Sequence, residues 1–290
     1  VVSLLAGEDD LAARGFFVAA MGLAYILLFG WALRSWCRAV HEPLALPLAG
    51  SLLALLATAA APAINLNSSL ALAAWAVSAS GGFVGTPVVL VLGIAWLTCA
   101  GTFPGGRRSF ALVLLASLVG VLAAQAWINE QVIKPAIGAA RPNIRELADL
   151  GVIGSADEFY RMATKKRRTE ELGHLFNTEP AASRIPDLHP LVRAHWLAKT
   201  GHAFPSGHTL ATVTLATVFT VLSSRFGGRP HWMTWLFLPW SVLVGWSRHL
   251  LRVHSTTDIC GGGLAGMILG LLIAWMLLQW LERRPVETGH

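Results

Sequence analysis

Charged side chains are scarce in this chain: Asp, Glu, Lys and Arg make up 13% of its 290 residues. A water-soluble domain of this length carries about a quarter, which argues against a soluble enzyme or scaffold. Cysteine is scarcer still. Cys37, Cys99 and Cys260 lie far apart, in or beside apolar stretches, without CxxC or Cys/His spacing. Neither a zinc site nor a disulfide framework can be built on that set. The opening "VVSLLAGEDD" lacks the basic stretch of a signal peptide, and none is expected there.

Apolar length is what the chain has in abundance. It is 54% hydrophobic, with a mean hydropathy of +0.58 and 12 Trp. A bilayer core takes about 20 largely apolar residues per helix. Runs of that kind are expected at 16–33, 44–64, 86–103, 110–133, 209–222, 232–250 and 259–281. The shorter "SLALAAWAVS" at 69–78 fits an interfacial helix. The expected fold class is all-α: a polytopic membrane helix bundle of six spans plus one extra N-terminal span. A polar helical insert lies on its outer face. The division is 1–43 with the extra span, 44–282 as the membrane domain with an insert at 143–204, and 283–290 as a cytoplasmic tail.

The formal charge of +6 does not point to nucleic acid, because the basic residues sit mostly in short loops between apolar runs. Arg34 and Arg38, Arg107 and Arg108, Arg225 and Arg229, and Arg283 and Arg284 all fall on one side if the chain crosses at each span. That side is the cytoplasm by the positive-inside rule. The segment after Lys134 then faces outward. Its "KKRR", Lys165–Arg168, reads either as a solvated helix face or as a patch for anionic head groups.

Three polar clusters fall at the outer ends of different spans. "KPAIGAARP" supplies Lys134 and Arg141; "FPSGH" supplies Ser206, Gly207 and His208; "SRHLLRVHSTTD" supplies Arg248, His254 and Asp258. A phosphate ligand gives each residue type a task. Arg offers a planar fork to two phosphoryl oxygens and Lys a point charge. Ser206 and Gly207 precede a helix whose free N–H groups suit an anion. His254 and Asp258 are four apart and would share a helix face. The carboxylate would then fix the imidazole tautomer and leave the other nitrogen to attack. His208, from another span, is placed to protonate a leaving oxygen. Each cluster alone has a plainer reading, as a helix cap, a surface hydrogen bond or a snorkelling cation. Three on one face, in this order, do not.

The three stretches fit K-x6-R-P, P-S-G-H and S-R-x5-H-x3-D, and the chain thereby resembles the type 2 phosphatidic acid phosphatase superfamily. The resemblance covers roughly 44–281 and leaves 16–33 without a counterpart; "DEFY" (157–160) and "HWLAKTGHAFPSGH" (195–208) extend it toward a bacterial branch. It implies His254 as nucleophile forming a phosphohistidine, Asp258 orienting it and His208 as general acid. Lys134, Arg141, Ser206, Gly207 and Arg248 match the phosphate-binding positions. It implies no metal and no cofactor. It also implies a lipid phosphate substrate, phosphatidylglycerophosphate or undecaprenyl pyrophosphate before others, and a bacterial inner membrane with the site facing the periplasm or cell exterior.

Two rivals are a lipid phosphotransferase using the same intermediate and a non-catalytic lipid transporter. The mid-span regions lack the Asp, Glu, Lys and Arg that mark an ion pathway, which favours an interfacial enzyme. "GGGLAG" at 261–266 permits close helix packing within the chain and leaves the oligomeric state open.

Overall fold

A computed structural model of the chain describes residues 44–100, 103, 106–226 and 234–283. The expected span at 16–33, the arginines at 34, 38, 229 and 284, and Cys37 lie outside them. The described residues are helical throughout, without a strand among them. The helices are α1 (Ala45–Ala60, its last turn 3-10), α2 (Ser69–Ser80), α3 (Gly85–Ala100) and α4 (Arg107–Ile137). A polar stretch follows with α5 (Pro142–Asp149), α6 (Ala156–Arg161), α7 (Lys165–Leu175) and α8 (Pro190–Ala198). Then come α9 (Gly207–Phe226), α10 (Thr234–Leu250) and α11 (Thr256–Glu282).

Three of these, α4, α9 and α11, are long and apolar enough to cross a membrane, and the bent pair α2–α3 makes a fourth candidate. Their surroundings differ sharply. Helix α9 is largely enclosed, whereas α4 turns most of its surface outward. Leu112, Val119, Trp127 and Val132 on α4 are exposed, as only an apolar surrounding tolerates in such number.

Around α9 the chain uses small side chains. Gly262, Gly266 and Gly270 form a stripe at helical spacing on α11. A Cβ at Gly266 would lie 2.5 Å from Leu210 O, and one at Gly270 would lie 2.6 Å from Thr217 Cβ. The glycines let two backbones approach as in small-xxx-small pairs. The close packing is therefore within the chain. On the α9 side Thr209, Thr212, Thr214, Thr217 and Thr220 are all buried. Thr214 Oγ1 returns its bond to Leu210 O at 2.8 Å, which hides the hydroxyl inside its own helix.

The interfacial helix expected at 69–78 instead forms the first half of a pair bent by 60°. Trp240 Nε1, midway along α10, donates to Ser80 Oγ at 2.9 Å, so α2 runs beside α10 rather than lying apart. The elbow is built on glycine because neighbours crowd it. A Cβ at Gly81 would meet Val244 Cγ1 at 2.6 Å, and one at Gly82 would come within 3.4 Å of His208 Nε2.

The 142–204 stretch has an apolar core distinct from that of the long helices. Ile144, Leu147, Phe159, Leu172, Phe176 and Trp196 pack there with Leu66, Leu251 and Val253. The last two come from the loop between α10 and α11, and Trp196 Nε1 donates to Leu251 O at 2.9 Å. The polar stretch thus holds the loop that carries His254.

The α9–α11 seam generates a test. Gly266→Ala should lower the thermal unfolding temperature in detergent, at a cost of about 1–3 kcal/mol typical of overpacking. Gly120→Ala on α4, where a Cβ meets nothing within 4 Å, should leave it unchanged or slightly raised. Equal behaviour of the two would mean that the seam is not tight.

Candidate active site

The chain between α8 and α9 has no regular partners, so its backbone polar groups must find others. Three consecutive carbonyls are taken by two arginines. Arg168 Nε donates to Thr200 O at 2.9 Å, Arg141 Nε to Gly201 O at 2.7 Å and Arg141 Nη2 to His202 O at 3.2 Å. Ala203 N donates to Ala139 O at 2.8 Å. Tyr160 joins in, its hydroxyl accepting from Arg141 N at 3.2 Å and donating to Gly201 O at 3.3 Å. Within "KKRR", then, Arg168 is a buried tie, while Lys166 is exposed beside Glu170 at 3.8 Å.

The same Arg141 guanidinium reaches the third cluster. Its Nη1 donates to Val253 O at 2.9 Å and lies 3.0 Å from His254 Nε2. A guanidinium only donates, so Nε2 is the acceptor. The ring proton therefore sits on Nδ1, which faces Asp258 Oδ2 at 3.5 Å. Burial, then Arg141, Arg248, Lys134 and His208, holds the imidazole well below its ordinary pKa and keeps it neutral.

His254 and Asp258 do not share a helix face. Helix α11 begins at Thr256 behind an N-cap at Ser255, which leaves His254 in the loop. Asp258 closes a capping box: its N–H donates to Ser255 Oγ at 3.3 Å and its Oδ2 accepts from Ser255 N at 2.7 Å. The turn into this loop runs through Arg252 at φ 57°, a conformation rare for a non-glycine residue. Arg252 is held there by Glu146 and by Ile64 O.

Arg248 is fully buried at the end of α10. Its Nη1 meets Ser78 Oγ of α2 and His195 Nε2 of α8, the latter at 2.9 Å. By the same donor argument His195 accepts through Nε2 and is neutral. Burial, Arg248, Lys199 and Arg141 push its pKa down to about 2.

Lys134 is buried on α4 and paired with Glu130 one turn earlier. The π-helical turn Asn129–Ile133 lies against the start of α9, with Asn129 Nδ2 3.2 Å from where a Gly207 Cβ would stand. Ser206 is buried, and its N–H donates to Asp258 O at 2.9 Å, which fastens the start of α9 to that of α11. His208 is half-buried beside the α2–α3 elbow.

The sequence-predicted residues therefore gather at one end of the bundle, where α4, α9, α10 and α11 meet. Ser78, Glu130, Tyr160 and His195 were missed. Glu130 was readable from its spacing of four to Lys134, and His195 opens "HWLAKTGHAFPSGH". Tyr160 closes "DEFY", and Ser78 carries no local signal. Among the described residues no group of three His, Cys, Asp or Glu is arranged to hold a metal ion. The arrangement suits a compact anion bound by buried cations next to a neutral, oriented imidazole.

A model of the PAP2 superfamily matches residues 111–285, and the chain belongs to that superfamily. It is 31% identical over 179 residues to phosphatidylglycerophosphatase B of Escherichia coli strain K12. The proteins of that name from E. coli O157:H7 and Shigella flexneri match to the same extent. The match takes in 60% of this chain and 61% of the relative, so the chain spans about three fifths of the length of the curated relatives it matches.

The reach of Arg141 gives the site its test. Arg141→Lys keeps a charge but cannot serve Gly201, His202, Val253 and His254 together. Unfolding in detergent should show a loss of about 2–4 kcal/mol, as expected for two or so orphaned bonds to a charged group. An unchanged unfolding temperature would mean that the carbonyls do not depend on the guanidinium.

Proposed function

We propose that the chain is a membrane phosphatase that hydrolyses a phosphomonoester or pyrophosphate on a lipid through a phosphohistidine at His254. The observation that carries this reading is the His254 Nε2 lone pair, turned at 3.0 Å toward the buried Arg141 guanidinium. An arriving phosphate takes the Nη1 N–H that faces His254 and the Nη2 N–H that no carbonyl holds, and exposes its phosphorus to that lone pair. The P–N bond forms as the bond to the lipid oxygen breaks, and His208 protonates the leaving oxygen. His208, now basic, deprotonates a water that attacks phosphorus and breaks the P–N bond. Asp258 holds the Nδ1 proton and stabilises the charge that grows on the ring.

Arg141, Arg248 and Lys134 neutralise the phosphoryl oxygens. The Ser206 N–H is occupied by Asp258 O, so the anion-binding N–H groups at the start of α9 are those of Gly207 and His208. In this reading the cations supply the electrostatic stabilisation, and no metal or cofactor takes part.

Six crossings by α1, the α2–α3 pair, α4, α9, α10 and α11 put all three motifs on one side, with 143–204 outside them. The domain is 44–282, preceded by 1–43 and followed by a cytoplasmic tail at 283–290. The setting is a bacterial inner membrane with the site facing the periplasm or cell exterior. The printed name of the E. coli and Shigella relatives supports phosphatidylglycerophosphate as a substrate; undecaprenyl pyrophosphate is the other favoured one.

Purified protein in detergent with EDTA should release inorganic phosphate from one or more of phosphatidylglycerophosphate, undecaprenyl pyrophosphate, phosphatidic acid and diacylglycerol pyrophosphate. His254→Ala should cut that release by more than about a thousandfold while unfolding at the wild-type temperature. Near-wild-type release by the variant would remove the nucleophile assignment, and release that needs added Mg²⁺ would remove the metal-independent mechanism. Phosphate delivered to a lipid acceptor instead of water would make the protein a transferase. Orthovanadate, a five-coordinate phosphate mimic, should inhibit; indifference at millimolar concentration would count against the pocket.

A further inference from the structure

Two lysines of the 142–204 stretch lie beside the arginine pair and have no task in the chemistry above. Lys199 is the C-cap of α8, four residues past His195, whose ring meets Arg248, and two before Gly201, whose carbonyl Arg141 holds. It therefore sits on the segment between a side chain that Arg248 meets and a backbone that Arg141 grips. Lys165 opens α7. Its carbonyl accepts from Thr200 Oγ1 at 3.4 Å, and its Cδ lies 4.0 Å from where a Gly201 Cβ would stand. Its stem therefore crosses the same stretch. Lys199 is half-buried and Lys165 is exposed.

Counter-ions separate these lysines from their neighbours. Lys134 has Glu130, Arg252 has Glu146 and Lys166 has Glu170. The charges felt by Lys199 are those of Arg248, Arg141, Lys165 and Lys134, all cations; burial and these neighbours lower its amine to about 7. Lys165 acts on Glu130, which Lys134 already holds. A partly buried cation among cations costs stability unless an anion joins it. One phosphate monoester carries at most two negative charges, and Arg141 and Arg248 already match those.

We infer that Lys199 and Lys165 form a second phosphate subsite at the mouth of the active site, which receives a further phosphate on the same lipid head group. The inference rests on the proposed reading, in which the first phosphate binds at Arg141 and Arg248. Substrates with two phosphates, joined directly or through a short alcohol, are thereby preferred over lipids with one.

Calorimetric titration of the full chain in detergent tests the subsite apart from turnover, with methylenediphosphonate against methylphosphonate as probes. Wild type should bind the diphosphonate more tightly, and Lys199→Met should reduce that preference about tenfold, the effect of one lost charge-assisted contact. Lys199→Arg should retain it, and Lys165→Met should reduce it by about threefold, as suits an exposed charge. The ratio of kcat/KM for diacylglycerol pyrophosphate or phosphatidylglycerophosphate to that for phosphatidic acid should fall in parallel. A fall in the first ratio alone places the second phosphate next to the first; a fall in the second alone places it one glycerol away. An unchanged preference in Lys199→Met overturns the subsite. A diphosphonate preference without any lipid hydrolysis overturns the phosphatase and leaves the subsite standing. Wild-type binding of neither probe overturns both.

Discussion

One buried guanidinium holds this end of the molecule together. Arg141 donates to the carbonyls of Gly201, His202 and Val253 and to the ring of His254. Those groups belong to two loops far apart in sequence. A buried carbonyl left without a donor costs about 1–3 kcal/mol, so both loops are fixed by the residue that also faces the proposed anion site. The partners are all neutral. Carbonyls and an imidazole solvate the charge without cancelling it. Arg248 follows the same rule with Ser78 and His195. Arg252, which has a carboxylate in Glu146, shapes the loop.

The fold delivers these side chains through two seams. The glycine stripe of α11 lets α9 approach until Ser206 N reaches Asp258 O. That contact locks the starts of both helices, and with them the Pro-Ser-Gly-His stretch and the His-x3-Asp pair, into one register. The second seam is the apolar core that α5–α8 share with Leu251 and Val253. It presses the His254 loop from the side opposite the bundle. The polar stretch is thus a structural wall of the site, and through His195 it also positions Arg248.

Much of this was legible in the sequence because chain-local rules governed it. Apolar runs at 110–133, 209–222 and 259–281 gave helices, since a bilayer-length run of such residues has few other outcomes. The three motifs converge because alternating helices return the ends of α4, α9, α10 and α11 to the same level. What escaped depended on contacts between distant residues. The glycine at the α2–α3 elbow answers to the closeness of Val244, which periodicity cannot express. Ser78 meets Arg248 across 170 positions. The helix face expected for His254 and Asp258 failed because Ser255 is a strong N-cap and the helix starts two residues past His254. The spacing was right and its geometric cause was different.

That difference bears on mechanism. Asp258 Oδ2 accepts the Ser255 N–H at 2.7 Å and faces His254 Nδ1 at 3.5 Å, so the shorter bond belongs to the helix cap. The cap fixes the carboxylate whether or not the imidazole is present, and the imidazole is only loosely tethered to it. In the proposed phosphohistidine reading, a loosely tethered ring can advance on phosphorus as the P–N bond forms, which a tight hydrogen bond to a rigid partner would resist. Positive charge then grows on the ring and strengthens its attraction to the stationary carboxylate. The interaction gains most when charge has developed, as differential stabilisation of a transition state requires. In that reading, starting α11 and orienting the nucleophile are two uses of one carboxylate, and the helix cap makes the second possible.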